Sequence, residues 1–217
     1  MDVYEALYTT RAMRRVKTDP IPLDVQAKIL DAAIRAPTGG NTQNWRFLLI
    51  DDHDKIAELA PIYQRCIASL WSSFYKDRID AVAANPEAES SIADGKMVRS
   101  AQHLADHFAD IPLLLFAFAQ GDPSGSSIFP AVWSAQLAAR AEGVGTSLTQ
   151  AWAFEQAATL KVLGVPEGEN WHMNCCVTFG YPTGVWGVAK RRPVNTVAFR
   201  NTWDGPFGVD VPDPLWP

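Results

Sequence analysis

The sequence is poor in thiols. It has three cysteines, Cys66, Cys175 and Cys176, and no CxxC pair. So sparse and odd a set argues against both a disulfide framework and a zinc site. Adjacent Cys175 and Cys176 in a strand would point to opposite faces, which suits buried thiols. There is no apolar run of the ~20 residues a membrane helix needs. A basic surplus is also missing: the net charge is −5 and the pI about 5.3, which excludes a broad nucleic-acid footprint. Met1-Asp2-Val3-Tyr4-Glu5 has neither a basic region nor an apolar core, so no signal peptide is expected there. Nor is there a P-loop, a nucleophile elbow or an internal repeat. Gly143-Val144-Gly145 ends a helical pattern where a dinucleotide fingerprint would begin one. His103 and His107 stand four apart but read H-L-A-D-H, without the glutamate of a zinc-protease motif, and His53 sits among acids. These absences lead to an expectation of a cytoplasmic protein with reduced thiols, no metal, and no membrane or nucleic-acid partner.

What is present is a globular composition. The chain has 217 residues, 47% of them hydrophobic, enough for one sizeable domain over residues 1–217. Asp2 to Tyr8 reads as a short helix capped by Asp2, and a second helix capped by Asp24 carries Val25, Ile29, Leu30, Ala33 and Ile34 on one stripe. Trp45 to Ile50 is apolar on both faces and reads as a central strand. Helices are expected over Lys55 to Ala60 and Ile62 to Ala84, separated by Pro61. Asn85 to Gly95 reads as a mobile insertion, with helix resuming at Met97. Ile111 to Ala119 is a buried strand, Ile128 to Glu142 an alanine-rich helix, and Thr146 to Ala151 a short extended run. A helix over Ala153 to Leu163 and a strand over Trp171 to Phe179 follow. Helices and strands alternate without regular βαβ units, so the class is α+β.

The chemistry concentrates in a few places. Arg11, Arg14 and Arg15 form one basic group and Lys190, Arg191 and Arg192 another, a pattern that suits a small anionic ligand or a solvated surface. Between the second helix and the first strand runs Ala36-Pro37-Thr38-Gly39-Gly40-Asn41-Thr42-Gln43-Asn44-Trp45-Arg46-Phe47. Pro37 stops the helix, Gly39 and Gly40 permit positive φ, and Thr38, Asn41, Thr42 and Gln43 offer donors and acceptors. Alone, this stretch suits either an ordinary connection or a ligand loop.

Taken with Thr10-Arg11-Ala12-Met13-Arg14-Arg15 one helix upstream, the A-P-T-G-G-N-T-Q-N-W-R-F loop resembles the nitroreductase family of FMN-dependent oxidoreductases. Thr10 stands where many members have arginine, Ala12 where many have serine, and Asn44 replaces a usual proline. The resemblance runs from Tyr4 to about Phe199. It implies FMN contacts at Arg11, Ala12, Met13 and Arg14, and at Pro37, Thr38, Gly39, Asn41 and Gln43, in part across to a second subunit. It also implies contacts near flavin N5 at Leu148, Thr149 and Gln150, and phosphate contacts at Lys190 and Arg192. The reductant implied is NAD(P)H, with hydride passing through N5 and then to a nitroaromatic, quinone or related acceptor in a two-step exchange, so no side chain is expected to act as nucleophile. Trp71, Phe74 and Tyr75 lie where a lid would contact the acceptor, or else pack as core. Two other activities stay open: flavin binding or storage without turnover, and the dehalogenation or flavin cleavage of family relatives. The implied architecture is a central mixed, mainly antiparallel sheet flanked by helices in three layers, within an intertwined homodimer. The arm from Asn195 to Pro217 carries Phe199, Trp203, Phe207 and Trp216 among prolines, and is expected to pack on the second copy.

Overall fold

The computed structural model describes residues 1–212 and Leu215. Its centre is a four-stranded sheet in the order β1-β2-β4-β3, made by Trp45–Ile50 (β1), Leu113–Ala119 (β2), Gly145–Thr149 (β3) and His172–Gly180 (β4). All three strand pairings are antiparallel. Among the described residues, parallel pairing is confined to a single bridge, Ala12 with Thr146. The helices are Val3–Thr9 (α1), Leu23–Ala33 (α2), His53–Ser72 (α3), Lys76–Ala84 (α4), Glu89–Asp106 (α5), Ile128–Ala141 (α6) and Gln156–Leu163 (α7).

Every residue of β2 is buried, because alternate side chains enter different cores. Leu114, Phe116 and Phe118 join a cluster built on α3 and α5, which includes Ile56, Tyr63, Leu104, Phe108 and Trp152. Leu113, Leu115, Ala117 and Ala119 join the opposite cluster, built on α2 and α6. Cys176 belongs to the first cluster and Cys175 to the second, so the adjacent thiols do take opposite faces. All three thiols are free and buried. The alanines Ala131, Ala135 and Ala139 let α6 lie close to α2 over the sheet.

Several local expectations are corrected. Trp45–Ile50 is an edge strand, since β2 and β4 occupy the centre, and its side chains are only half-buried or exposed. Pro61 does not divide two helices; it lies inside α3 on an exposed position. The break falls later, at Ser73, where the backbone leaves helical geometry before α4. The segment 85–96 is not a loose insertion, because α5 starts at Glu89 and seats Ser91 and Gly95 in contact with α4. Asp24 does not cap α2; Pro22 holds the cap position and Asp24 lies in the first turn. Asp2 does cap α1, accepting from the Glu5 amide at 2.8 Å.

Candidate functional site

The basic segment is laid against the open end of the β3–β4 pair. The Met13 amide donates to the Thr146 carbonyl at 2.8 Å, and the Lys17 amide to the Tyr181 carbonyl at 2.8 Å. Gly145 and Gly180 lie beneath it. A Cβ on Gly145 would stand 2.7 Å from Met13 Cβ, and one on Gly180 2.6 Å from Val16 Cβ. The missing side chains let the segment touch the strand backbones, which sets the depth at which Arg14 emerges.

Arg14 emerges into a cavity of about 980 Å³. One wall is β3 and the residues after it: Ser147, Leu148, Thr149, Gln150 and Ala151. The other is the end of α3 and the start of α4, with Tyr63, Trp71, Phe74, Tyr75 and Arg78, closed by Phe154. Arg14 is half-buried, and its Nη1 donates to Ser100 Oγ at 3.5 Å. No carboxylate pairs with it among the described residues. Burial holds its pKa below the usual arginine value, opposed by the nearby phenols of Tyr63 and Tyr75.

The remaining polar groups of the wall are unevenly satisfied. The Tyr63 hydroxyl donates to Thr149 Oγ1 at 3.4 Å, and the Ala151 amide donates to the same oxygen at 3.2 Å. Burial pushes the Tyr63 phenol up to about 12, so it stays protonated at neutral pH. Ser147 Oγ is buried in the wall and has no hydrogen-bond partner among the described residues. Gln150 donates to the Asn174 carbonyl at 3.3 Å, where β4 bulges against β2 between Met173 and Cys175. The aromatic wall is braced by edge-on contacts, Trp71 with Tyr75 at 5.6 Å and Phe74 with Phe154 at 6.1 Å. Trp71 also donates Nε1 to Gln102 Oε1 at 2.8 Å, tying α3 to α5.

The structure therefore brings together Arg14, Leu148, Thr149, Gln150, Trp71, Phe74 and Tyr75. It does not bring the other sequence-derived residues to this cavity. The loop with Pro37, Thr38, Gly39, Asn41 and Gln43 is elsewhere on the surface, held by the Gly39 amide on Ser127 Oγ at 3.4 Å. Positive φ there belongs to Gly40, Asn41 and Gln43 rather than to Gly39. Arg11 is exposed and donates to the Val185 carbonyl at 3.0 Å; Ala12 is exposed and Met13 buried under the segment. Arg191 and Arg192 line a second cavity of about 360 Å³ with Leu7, Tyr8 and Val194, and the tail residues Val211, Pro212 and Leu215 cover it. Lys190 is exposed beside them. Of the tail aromatics, Trp203 is 95% exposed and Phe199 is exposed, whereas Trp216 lies outside the described residues.

Tyr63, Arg78 and Ser147 were not singled out by sequence reasoning. A signal existed for the first. Tyr63, Ile67, Leu70 and Trp71 stand at i, i+4, i+7 and i+8, the mark of one helical face, whereas Arg78 lies on α4 beyond the break at Ser73.

A family model, the nitroreductase family, matches residues 7–181. The chain belongs to the nitroreductase family. Among curated proteins it is similar to 5,6-dimethylbenzimidazole synthase of Rhodospirillum rubrum, 34% identical over 83 residues that cover 38% of this chain and 39% of that protein. It is also similar to the NADH dehydrogenase of Thermus thermophilus, 38% identical over 52 residues, 24% of this chain and 25% of that protein. These matches span well under half the length of either relative. Over the whole fold it is similar to oxidized iodotyrosine deiodinase bound to FMN and 3-iodo-L-tyrosine, with a TM-score of 0.70, 19% identity, and coverage of 93% of this chain and 100% of that one.

Among the described residues, no helix is long and apolar enough to cross a membrane.

Proposed function

We propose that this chain is an FMN-dependent oxidoreductase that takes hydride from NAD(P)H and passes the electrons to a small aromatic acceptor such as a nitroaromatic or a quinone. The observation that carries this reading is Arg14, a half-buried guanidinium facing a large cavity with no carboxylate beside it. A cation so placed calls for an anionic or electron-accepting ligand to complete it. The cavity lies near the upper end of the ~300–1,000 Å³ typical of small-molecule sites, which leaves room for a flavin ring and a second flat molecule. Ser147 Oγ adds an unfilled polar group on the same wall. These residues fit FMN.

When bound, FMN would supply the ring that exchanges hydride at N5. The chain's own groups bind and orient it. Arg14 is suited to the pyrimidine edge, where it would favour negative charge. The strand residues Leu148, Thr149 and Gln150 would face the centre of the ring. Arg11, Lys190 and Arg192 are assigned to the phosphate, with Ala12 and Met13 carrying the backbone past it. Trp71, Phe74 and Tyr75 would wall the acceptor side and exclude water.

The proposal includes a homodimer. Pro37, Thr38, Gly39, Asn41 and Gln43 do not reach the cavity within one chain, and a second copy would bring them to it. Exposed Val3, Tyr4, Leu7, Phe199 and Trp203 provide apolar surface for such an interface. Three free, buried thiols suit the reducing cytoplasm, where we place the protein.

The test is the visible spectrum of the purified protein. A flavin band should be present, and the chromophore released by heat should co-migrate with FMN. NADH or NADPH should bleach it under anaerobic conditions, and a quinone should restore it. FAD or no flavin after reconstitution would refute the cofactor assignment. A yellow protein that neither nucleotide bleaches would leave a storage role instead.

A further inference from the structure

We propose that the electron acceptor is an aromatic anion and that Arg78 is the residue that reads its charge. The inference rests on the cavity being the flavin site. Its wall away from β3 is aromatic: Trp71, Phe74, Tyr75 and Phe154. Such a wall selects a flat ring. The charges of the cavity have one sign. Arg14 and Arg78 line it, and no aspartate or glutamate does among the described residues.

Arg14 emerges beside β3 and is committed to the flavin, so Arg78 is the cation left for the second ligand. It stands in the first turn of α4, with Cζ 5.7 Å from the centre of the Tyr75 ring. Its Nη1 is 3.5 Å from Asp94 Oδ1 on α5, which holds the side chain over the end of the cavity. That contact occupies one edge of a fork with five N–H donors, and no other hydrogen-bond partner takes them among the described residues. A carboxylate, sulfonate or phenolate on a ring stacked against Tyr75 would lie within reach of them. An ammonium group would meet Arg78, and Asp94, the acid beside it, is already engaged by that guanidinium. Cationic and zwitterionic aromatics are therefore disfavoured against a simple anion.

The test uses flavin-loaded protein and three ligands of matched shape: 4-nitrobenzoate, 4-nitrobenzamide and 4-nitrobenzyltrimethylammonium. Binding is followed by quenching of tryptophan emission at low ionic strength, alongside kcat/KM for each as acceptor. Arg78 is largely exposed, so one charge contact should be worth about fivefold in affinity and the anion should exceed the cation by about tenfold or more. Arg78→Gln should bring the three ligands to within about threefold of one another, while Arg78→Lys should keep the order. Flavin content should be unchanged in Arg78→Gln, because Arg78 is assigned no contact with the flavin. Equal binding of the three ligands by the natural protein would overturn the proposal, as would an unchanged order in Arg78→Gln. Failure of the flavin reading would show separately, as a missing flavin band or a band that reduced nucleotide does not bleach.

Discussion

Gly145 and Gly180 face each other across the β3–β4 ladder, and neither position has room for a methyl group. The basic segment occupies the space that two side chains would take. Replacing Gly145 by alanine should force Met13 outward and cost about 1–3 kcal/mol, a fall of several degrees in Tm. Flavin occupancy should fall with it, because Arg14 is carried on the displaced segment. Gly184→Ala is the control, since nothing lies within 4 Å of a Cβ there. Thermal scans of the two variants that coincide would show that the close contact is not a constraint.

Arg14→Met should make the flavin midpoint potential more negative and slow reduction by NAD(P)H by about tenfold, the effect of roughly 1.4 kcal/mol on the barrier. Spectroelectrochemistry and stopped-flow bleaching read these two quantities. An unchanged potential in flavin-loaded protein would remove Arg14 from the pyrimidine edge.

The phosphate assignment separates neighbouring arginines. Arg191 donates Nη1 to the Lys190 carbonyl at 3.0 Å, a contact made within the segment itself. Loss of one charge-assisted phosphate contact costs roughly 1.5–3 kcal/mol. Arg192→Ala, and Lys190→Ala with it, should therefore raise the FMN dissociation constant about tenfold or more, while Arg191→Ala should not. Equal effects at 191 and 192 in a flavin titration would refute the assignment.

Asp122 carries a pH dependence. Its carboxylate accepts from the amides of Ser126, Ser127 and Ile128 at 2.8, 2.9 and 3.1 Å, capping the start of α6 from upstream. Burial raises its pKa, but the hydrogen bonds together outweigh this and leave it below the ordinary aspartate value of 3.8. Because the folded pKa is the lower one, the stabilisation is complete above pH 3.8 and is lost as pH falls through the folded value. Asp122→Ala should cost about 1 kcal/mol at neutral pH, as for other lost helix caps. The difference from the natural protein should shrink in acid. Urea titrations at pH 7 and near pH 3 measure both; a difference that grows toward low pH would contradict the sign.

The C-terminal arm is the assembly prediction. Burying two of its aromatic side chains on a second copy is worth roughly 3–6 kcal/mol before ordering costs. Val211, Pro212 and Leu215 lie over α1 of their own chain, yet Trp203 is left open to solvent. A chain ending at Arg200 should shift toward monomer and lose flavin together. If light scattering still reports a dimer with full FMN occupancy, the arm is not part of the interface.

The sequence by itself determined the elements that depend on local order. A continuous apolar run marked the strand expected over Ile111 to Ala119, which forms β2, and the strand expected over Trp171 to Phe179 forms β4; the alanine pattern marked α6 and Asp2 the start of α1, because caps and apolar runs act within a few residues. The paired motifs also carried the family. Tertiary structure decided the rest. The position of Trp45–Ile50 at the sheet edge depends on which strands pair, and apolar content on both faces cannot report that. Pro61 survives inside α3 because Ile56, Leu59, Ala60, Ile62 and Tyr63 are all buried on the sheet side, and that burial outweighs the ~3 kcal/mol a helix-interior proline costs. The same long helix brings Tyr63 and Trp71 to face Arg14, and α4 adds Arg78. That convergence joins Arg14 to residues 49, 57 and 64 positions further along, which only the placing of α3 and α4 opposite β3 could bring into one cavity.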